Sequence, residues 1–318
     1  MGQRVLVTGG AGFIGSHVAE ALLRRGDRVI CFDSLDPYYD PAIKRQNIAL
    51  LSEYEGFSFI QGDIRSPEQL ATVRRVDAVV HLAARAGVRP SIDEAALYAD
   101  VNLTGTTNVL EFARQHQVRS FVFASSSSVY GERGNPPFRE SDPADRPASP
   151  YAATKRGGEL LCASYHDVFD LPISCLRFFT VYGPRQRPEM AIARFTHQIA
   201  AGAAIQLYGD GSAQRDFTYV TDAVASVLAA LERTDGYDVF NIGHRRMTSV
   251  LEIIHQIASA LGTPPELDIL PPQPGDVSLT CADIEHAHSV LGYNPAVPIE
   301  DGIARYVDWY QKAEVLAG

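Results

Sequence analysis

A glycine-rich turn near the start of the chain separates an apolar run from a helical pattern. The apolar run is Arg4–Thr8, and the turn that follows it is Gly9-Gly-Ala-Gly-Phe-Ile-Gly15. From residue 13 to residue 25 the apolar side chains recur at helical spacing. A turn of this kind presents backbone N–H groups at the N-terminus of a helix, where phosphate groups bind. The sequence therefore predicts a strand, a phosphate-binding turn and a helix.

The alternation of apolar runs and helical segments continues along the chain. Further apolar runs lie at residues 28–32, 57–60, 78–82, 120–124 and 173–177. Helical segments are expected at residues 104–115 and 151–169. This order predicts a parallel sheet with helices on both faces, and right-handed crossovers make such a sheet doubly wound. We therefore expect an α/β protein whose main domain has the Rossmann architecture.

The pattern changes near Gly183. Proline and arginine punctuate residues 184–188, helical patterns follow at 191–201 and 222–232, and an apolar run lies at 239–242. We predict a nucleotide-binding Rossmann domain at residues 1–183 with a return at residues 216–246. Residues 184–215 and 247–318 would form a smaller, discontinuous α/β substrate lobe. A chain of 318 residues is long enough for both lobes.

Charge and composition limit the partners that such a protein can have. The formal net charge is −10, which repels nucleic acid and anionic membrane surfaces. No stretch approaches the roughly 20 apolar residues that a membrane span requires, and no cleavable signal is evident. The four cysteines are far apart, which favours neither a disulfide framework nor a zinc site. We expect a cytoplasmic protein without a metal, nucleic-acid or membrane partner.

A carboxylate at the end of the second apolar run indicates the kind of cofactor. Asp33 is placed to accept the hydroxyls of a ribose and to oppose a 2′-phosphate, which favours NAD over NADP. Asp63 follows the third run and His81 lies in the fourth, both at the same expected sheet edge. His81 by itself is more typical of a buried structural histidine than of an acid or base. The alternative, that the glycines only permit a tight turn, leaves the register of strand, helix and acid unexplained.

Tyr151 and Lys155 form a second candidate site. Their spacing in Tyr151-Ala-Ala-Thr-Lys155 places a phenol and an ammonium on one face of a helix. The ammonium and an oxidised nicotinamide both favour phenolate, so we expect the pKa of Tyr151 to fall well below its ordinary value of about 10. A phenolate can deprotonate a carbinol while hydride leaves the carbon. The alternative is a surface pair that has this spacing by chance.

Four consecutive hydroxyls follow the fifth apolar run, in Ala124-Ser-Ser-Ser-Ser-Val-Tyr-Gly131. Buried serines need hydrogen-bond partners, and such a run is difficult to explain as core. The serines could equally cap the turn that follows. Because the strand end, the glycine turn and the Tyr/Lys helix all point to one sheet edge, we favour a functional role.

Taken together, these residues resemble the extended short-chain dehydrogenase/reductase family, and within it the nucleotide-sugar 4-epimerases. The similarity extends over essentially the whole chain. Its motifs are Thr8-Gly-Gly-Ala-Gly-Phe-Ile-Gly15, Asp63-Ile64, Leu82-Ala-Ala84, Asn102, Ser125-Ser-Ser127, Tyr151 with Lys155, Tyr182-Gly-Pro184, Arg215-Asp-Phe217 and Pro274-Gly-Asp276. The resemblance implies tightly retained NAD, a lobe that binds a sugar nucleotide, and a homodimer built on the helices near 104–115 and 151–169.

The resemblance also separates the reactions that this family performs. Register with the family makes Ser126 the hydroxyl that helps to bind the sugar 4-OH. Sugar-nucleotide dehydratases carry Asp-Glu at the next two positions, and uronate decarboxylases carry Glu at the second, where this chain has Ser127 and Ser128. Elimination of water therefore lacks its acid and base. C4 epimerisation needs neither, because Tyr151 removes the 4-OH proton, hydride passes to NAD, and hydride returns to the opposite face of the 4-keto sugar.

Two further positions indicate the sugar. Family members that act on galactose or N-acetylglucosamine usually carry Asn where this chain has Thr180, and tend to carry Arg where it has Gln273. These features are similar to those of the UDP-glucuronate 4-epimerases, which interconvert UDP-glucuronate and UDP-galacturonate. Neutral donors at Ser127, Ser128 and Thr180 suit a C6 carboxylate on a ring that must turn. The nearest alternative is a UDP-glucose or UDP-N-acetylglucosamine 4-epimerase; an oxidoreductase that releases NADH and a non-catalytic NAD-binding regulator also stay open.

The candidate site residues fall into three groups. The catalytic group is Ser126, Tyr151 and Lys155. The cofactor-binding group is Gly9, Gly12, Phe13, Ile14, Gly15, Asp33, Ser34, Asp63, Ile64, Leu82, Ala83, Ala84, Arg85, Asn102, Ala124, Tyr151, Lys155 and Phe178. The substrate-binding group is Arg89, Ser126, Ser127, Ser128, Tyr151, Thr180, Arg185, Arg194, Arg215 and Asp276. Arg215 is our choice for the diphosphate, whereas Arg187 is at least as readily a solvated surface charge.

Overall fold

A seven-stranded parallel sheet forms the centre of the protein. The computed structural model describes residues 2–134, 136–271 and 279–317. The strands of this sheet are β1 (Arg4–Thr8), β2 (Arg28–Asp33), β3 (Phe57–Gln61), β4 (Ala78–His81), β5 (Ser120–Ser126), β6 (Ile173–Phe178) and β10 (Tyr237–Ile242). Their order is β10-β6-β5-β4-β1-β2-β3. The order reverses between β1 and β4, and in such sheets ligands bind at this switch point, beyond the carboxyl ends of the strands.

Helices cover both faces of the sheet. The α-helices are α1 (Phe13–Arg24), α2 (Pro41–Leu51), α3 (Pro67–Leu70), α4 (Val88–Asp93), α5 (Ala95–Ala99), α6 (Gly105–His116), α7 (Pro150–Phe169), α8 (Ala191–Ala200), α9 (Val220–Leu231), α10 (Val250–Leu261), α11 (Glu285–Leu291) and α12 (Ile299–Ala317). Strand β1 explains why both faces are covered: Val5 and Val7 pack into one apolar cluster and Leu6 packs into another. The predicted doubly wound α/β fold is confirmed. None of the helices in the described ranges has the length and apolar character to cross a membrane.

The start of α7 sets the position of Tyr151. Ser149 Oγ accepts the backbone N–H of Ala152 at 3.1 Å, and Pro150 occupies the first turn. The helix therefore begins one residue before Tyr151 and carries Lys155 one turn further along the same face. Because α7 packs against β5, this face lies beside the end of that strand.

Two small sheets lie apart from the large sheet. Strands β7 (Thr180–Tyr182), β9 (Gln214–Tyr219) and β11 (Met247–Ser249) form one, and β8 (Ile205–Tyr208) pairs with β12 (Leu267–Leu270) in the other. Helix α10 packs against both α8 and α12. After β9 the chain returns to the large sheet, where α9 packs against α1 and β10 pairs with β6. Strand β7 lies inside the range predicted for the first domain, and the domain boundaries stay a prediction.

Candidate functional site

A cleft opens beyond the carboxyl ends of the strands at the switch point. Every predicted cofactor-binding residue except Asn102 lines it. Asn102 lies behind the wall and bonds both backbone groups of Arg85: its Oδ1 accepts the N–H at 2.7 Å and its Nδ2 donates to the carbonyl at 3.0 Å. Asn102 therefore fixes the segment after β4, which does line the cleft.

The glycine turn forms one wall of the cleft. Gly9 has a φ of +69°, which favours glycine, and its N–H donates to the Phe32 carbonyl at 2.9 Å. A Cβ on Gly15 would collide with the Gly9 carbonyl oxygen, so the turn closes this tightly only with glycine there. Gly12 caps α1 without a side chain and lines the cleft. The positive end of the α1 dipole therefore faces the cleft, which fits the diphosphate of NAD.

Asp33 ends β2 and lines the cleft. Its carboxylate accepts the N–H of Ala11 at 3.2 Å and that of Leu35 at 2.9 Å, which fixes its orientation toward the cleft. Lys44 Nζ lies 3.9 Å from the same carboxylate and 4.9 Å from the centre of the Tyr39 ring. Lys44 and Tyr39 also line the cleft. The Asp33 carboxylate suits the ribose hydroxyls of NAD.

His81 is a structural residue, as its isolated position in the sequence indicated. Its two ring nitrogens lie 2.7 Å from Thr8 Oγ1 and 3.0 Å from Thr106 Oγ1. Burial, with a smaller contribution from the Lys155 charge, lowers the pKa of His81 to about 3. A neutral imidazole between two hydroxyls is satisfied in the core and is no acid or base at neutral pH.

The structure brings Ser126, Tyr151 and Lys155 together at one end of the cleft. The Ser126 side chain lies close enough to the Tyr151 phenol to lower its pKa. Lys155 Nζ donates to the Ala124 carbonyl at 2.7 Å. Ser128 Oγ donates to Ser126 Oγ at 2.9 Å, so the serine segment is itself hydrogen-bonded. A phenol, a hydroxyl and a buried ammonium therefore lie together beside the end of β5.

The low pKa expected for Tyr151 includes the effect of bound NAD and stays a prediction. In the protein alone, burial raises the pKa of Tyr151 above its ordinary value, against the effects of Ser126 and of the Arg187 charge, which lower it. Burial also lowers the pKa of Lys155 to about 8, against the effects of Cys162 and Glu159. The two groups are desolvated, and each pKa moves toward the neutral form. A pKa of Tyr151 below its ordinary value needs further positive charge, such as that of an oxidised nicotinamide, to outweigh burial.

The serines and Thr180 differ in their placement. Thr180 begins β7 and lines the cleft beside Phe178. Ser127 and Ser128 begin a short 3-10 turn, Ser127–Tyr130, and are partly buried next to Ser126 without being part of the cleft wall. Gln273 and Asp276 lie outside the described residues.

The arginines predicted to bind substrate lie outside the cleft wall. Arg185 pairs with Glu20 of α1 at 2.6 Å. The other three make contacts in the second lobe or at its edge: Arg89 over the Tyr208 ring at 5.3 Å, Arg194 over the Phe195 ring at 5.3 Å, and Arg215 to the Gln214 carbonyl at 2.9 Å. Their assignment to substrate stays a prediction.

Arg187 is the arginine of this segment that lines the cleft. Its Nε lies 2.9 Å from the Glu189 carboxylate, and its guanidinium lies 5.9 Å from the centre of the Tyr38 ring. Its charge reaches Tyr151, whose pKa it lowers. The sequence allowed a surface role for Arg187 at least as readily. The backbone path of residues 183–190 determines which arginine reaches the cleft, because it turns Arg185 toward α1 and Arg187 toward the cleft.

Known proteins with similar sequences and structures identify the family. Residues 5–243 match the model of the NAD dependent epimerase/dehydratase family. The UDP-glucuronate 4-epimerase of Thermodesulfobacterium geofontis (strain OPF15) is 42% identical over 308 residues, which cover 96% of this chain and 95% of that protein. UDP-glucuronic acid 4-epimerase from Bacillus cereus, in complex with UDP-glucuronic acid and NAD, has a TM-score of 0.92 at 37% identity over 98% of this chain and 99% of that chain. UDP-glucose 4-epimerase from Thermus thermophilus, in complex with NAD, has a TM-score of 0.89 at 35% identity over the same shares. The chain therefore belongs to the NAD-dependent epimerase/dehydratase family.

Proposed function

We propose that this protein is a UDP-glucuronate 4-epimerase, which interconverts UDP-glucuronate and UDP-galacturonate with NAD retained in the site. The proposal depends chiefly on the end of the cleft that holds Ser126, Tyr151, Thr180 and Arg187, which we call the sugar end. No carboxylate is among the described residues that line the sugar end. Epimerisation needs one proton acceptor, whereas elimination needs an additional acid and base.

The carboxylates that line the cleft lie away from the sugar end. Asp33 ends β2 and Asp63 follows β3, on the side of the switch point away from β5. Asp36 is paired with Arg85 at 2.5 Å. None of the three is in the Ser126, Tyr151 and Lys155 group, so the sugar end offers Tyr151 as its proton acceptor.

Each side chain at the sugar end has a separate role in the proposed reaction. NAD, when bound, supplies the acceptor that takes a hydride from C4 and gives it back. Tyr151 Oη takes the proton of the sugar 4-hydroxyl and returns it later. Ser126, whose side chain lies beside the Tyr151 phenol, holds that hydroxyl at the proton acceptor. Lys155 places a positive charge one helical turn away, which favours the phenolate of Tyr151.

The polar groups of the sugar end favour a uronate over a neutral hexose. Arg187, whose Nε is paired with Glu189, presents its guanidinium there, and Thr180 supplies a neutral hydroxyl. A C6 carboxylate gains from both, whereas a neutral CH₂OH group gains little from the cation. Similarity alone does not choose the sugar, because the UDP-glucuronic acid and UDP-glucose epimerases named above match this fold almost equally well.

Purified protein is expected to convert UDP-glucuronate into UDP-galacturonate without added cofactor, because NAD ends each cycle as it began. UDP-glucose should turn over at least ~10²-fold more slowly, since it lacks the carboxylate that the polar groups would bind. Chromatographic separation of the two uronates after timed incubation measures the reaction. Turnover of UDP-glucose alone would remove the uronate assignment.

A Thr180→Val variant tests whether the Thr180 hydroxyl takes part in sugar recognition. Losing one hydroxyl of nearly unchanged shape should lower kcat/KM for UDP-glucuronate by about 10-fold. The NAD content should stay unchanged, since Thr180 lies at the sugar end.

Release of NADH in proportion to product by the wild-type protein would indicate an oxidoreductase. Absence of any product despite bound NAD would indicate a non-catalytic regulator.

We also propose that the protein is a homodimer and works in the cytoplasm. Helix α7 exposes Leu160 and Val168 by 55% and 65%, and Ile92 on the neighbouring α4 is 55% exposed. Leu160 and Val168 lie two turns apart on one helix face, and a second copy of the same helix would cover them. A location in the cytoplasm agrees with the four cysteines, which are all free thiols.

Leu160→Glu is expected to weaken the dimer by at least ~10-fold, because a charge would be buried in an apolar interface. Light scattering over a dilution series measures the mass. Leu50→Glu on α2 is the matched control, since Leu50 is 47% exposed on a different helix and should leave the mass unchanged. A wild-type protein that stays monomeric at all concentrations would contradict the dimer.

A further inference from the structure

A buried carboxylate lies directly behind the proton-transfer group. Glu159 is on α7, one helical turn after Lys155, and its side chain is fully buried. Ser125, the residue before Ser126 in β5, donates from Oγ to Glu159 Oε1 at 2.5 Å. Lys155 Nζ donates to the Ala124 carbonyl at 2.7 Å. Helix α7 is therefore bonded to the end of β5 at two successive residues.

Two arginines complete the surroundings of the Glu159 carboxylate. Arg177 of β6 donates Nε to one oxygen and Nη2 to the other, both at 2.8 Å, and Arg156 donates at 2.8 Å. The remaining Nη1 of Arg177 donates to the Tyr130 hydroxyl at 2.9 Å. Tyr130 ends the turn that contains Ser127 and Ser128. One carboxylate thus connects β5, β6, α7 and the serine turn.

Folding alone does not require a charge at this position. Removing two charges from water offsets their attraction, so a buried ion pair adds little net stability. An apolar pair of similar volume often serves a core equally well or better. The charge of Glu159 therefore needs a reason other than packing, and the site beside it supplies one.

The groups around Lys155 give that reason. Its own helix supplies Tyr151, Glu159 and Cys162, β4 supplies His81, and β6 supplies Arg177 and Cys175. Burial keeps Tyr151, Cys162 and His81 in their neutral forms at neutral pH. Although burial raises the pKa of Glu159, the hydrogen bonds and charge of Arg177 bring it below the ordinary value. Among these described groups, Glu159 is the one that supplies negative charge to the buried ammonium.

We propose that Glu159 is a positioning residue for the proton-transfer group: it holds Ser126 in register with α7 through Ser125, and it keeps the buried Lys155 side chain protonated. The effect on turnover rests on the epimerase function proposed above. The effect on Lys155 does not, because the ionisation of a lysine can be measured without substrate.

The direct test follows the titration of Lys155 by isotope-edited NMR of lysine side chains. The chain has three lysines, Lys44, Lys155 and Lys312, so substitution assigns each signal. Glu159→Gln should lower the midpoint of the Lys155 titration by ~1 pH unit or more, because a nearby negative charge is removed. Lys44 and Lys312 should titrate as in the wild type. An unchanged Lys155 midpoint would overturn the proposal, whether or not the protein turns over UDP-glucuronate.

The pH dependence of turnover separates charge from geometry. With Glu159→Gln, the loss of kcat on the alkaline side should begin at lower pH, because Lys155 loses its proton earlier. Glu159→Asp keeps the charge but shortens the reach to Ser125, so kcat should fall while the alkaline limb stays in place. An equal fall of kcat in both variants with no movement of the limb would indicate a structural role only. Asp238→Asn removes an acid from another ion pair, with Arg233, and should change neither measurement.

A second variant keeps the test decisive if Glu159→Gln does not fold. Glu159→Met combined with Arg177→Met replaces the ion pair by apolar side chains and leaves no unpaired buried charge between the two. The folded double variant should still show a lowered Lys155 midpoint and reduced kcat. Wild-type values for both in this variant would contradict the proposal.

Discussion

Tyr151→Phe is expected to lower kcat for UDP-glucuronate by about 10³-fold, because it removes the group that takes and returns the proton of the sugar hydroxyl. The phenol is partly buried at the sugar end, next to Ser126. Loss of its hydroxyl should change the free energy of unfolding by only about 1 kcal/mol. Turnover, NAD released on denaturation and Tm together measure the outcome.

A matched control uses a buried phenol elsewhere. Tyr293 donates to the Gly243 carbonyl at 3.0 Å and does not line the cleft. Tyr293→Phe should therefore keep turnover within a few-fold of the wild type. Tyr151→Phe with wild-type turnover would remove Tyr151 from the mechanism. If Tyr151→Phe instead loses NAD, Tyr151 would be mainly a cofactor ligand.

Lys155→Met is expected to reduce kcat by ~10²-fold or more while leaving Tm unchanged or higher. Burial lowers the pKa of Lys155 to about 8. An unfolded chain would bind the lysine proton more tightly, so the folded state gains stability as the pH rises from about 8 toward the ordinary lysine pKa of about 10.4. Below that range the buried ammonium costs about 3 kcal/mol of folding free energy. A methionine removes this cost and fills similar space, at the loss of one hydrogen bond to Ala124.

Melting curves at pH 7 and pH 10 test the sign of this effect. The difference in Tm between wild type and Lys155→Met should shrink at the higher pH, because the wild-type lysine is then neutral in the folded state. Lys312→Met is the control, since Lys312 is an exposed lysine on α12 that pairs with Asp308 at 2.7 Å. A clear fall in Tm for Lys155→Met at pH 7 would show that the ammonium stabilises the fold.

Local spacing accounts for the parts of the site that could be predicted. The glycine turn, Asp33, and Tyr151 with Lys155 are each defined within one strand end or one helical turn, and the cleft contains all of them. Parallel strands place their carboxyl ends at one edge, so separate motifs at those ends predict a common site. The same argument placed Ser126 beside Tyr151.

Arg185 and Arg187 show where local spacing stops being informative. They are two residues apart, and the sequence gives them equal chemistry. Arg185 has a φ of +63° and pairs with Glu20 of α1, while His17 Nε2 lies 2.8 Å from the Pro184 carbonyl. These contacts with a distant helix determine which arginine reaches the cleft. Glu20 and His17 carry no motif that would indicate this.

The charge state of the site also depends on the tertiary structure. From the sequence, Lys155 should lower the pKa of Tyr151, but burial dominates and raises it. Burial is a property of everything packed around a group, and spacing along one helix does not contain it. The sequence does not indicate the role of Glu159 for the same reason, since its partners Ser125 and Arg177 lie on two different strands.

The sequence by itself determined the parallel α/β sheet, the glycine turn and the Tyr151/Lys155 pair on one helix face, because each depends on periodicity or on a few neighbouring residues. The tertiary structure alone decided that Arg187 lines the cleft, that Lys44 lies beside Asp33, and that Glu159 is buried one helical turn after Lys155. Those three results depend on desolvation and on contacts between residues far apart in the chain, which only the folded protein brings together.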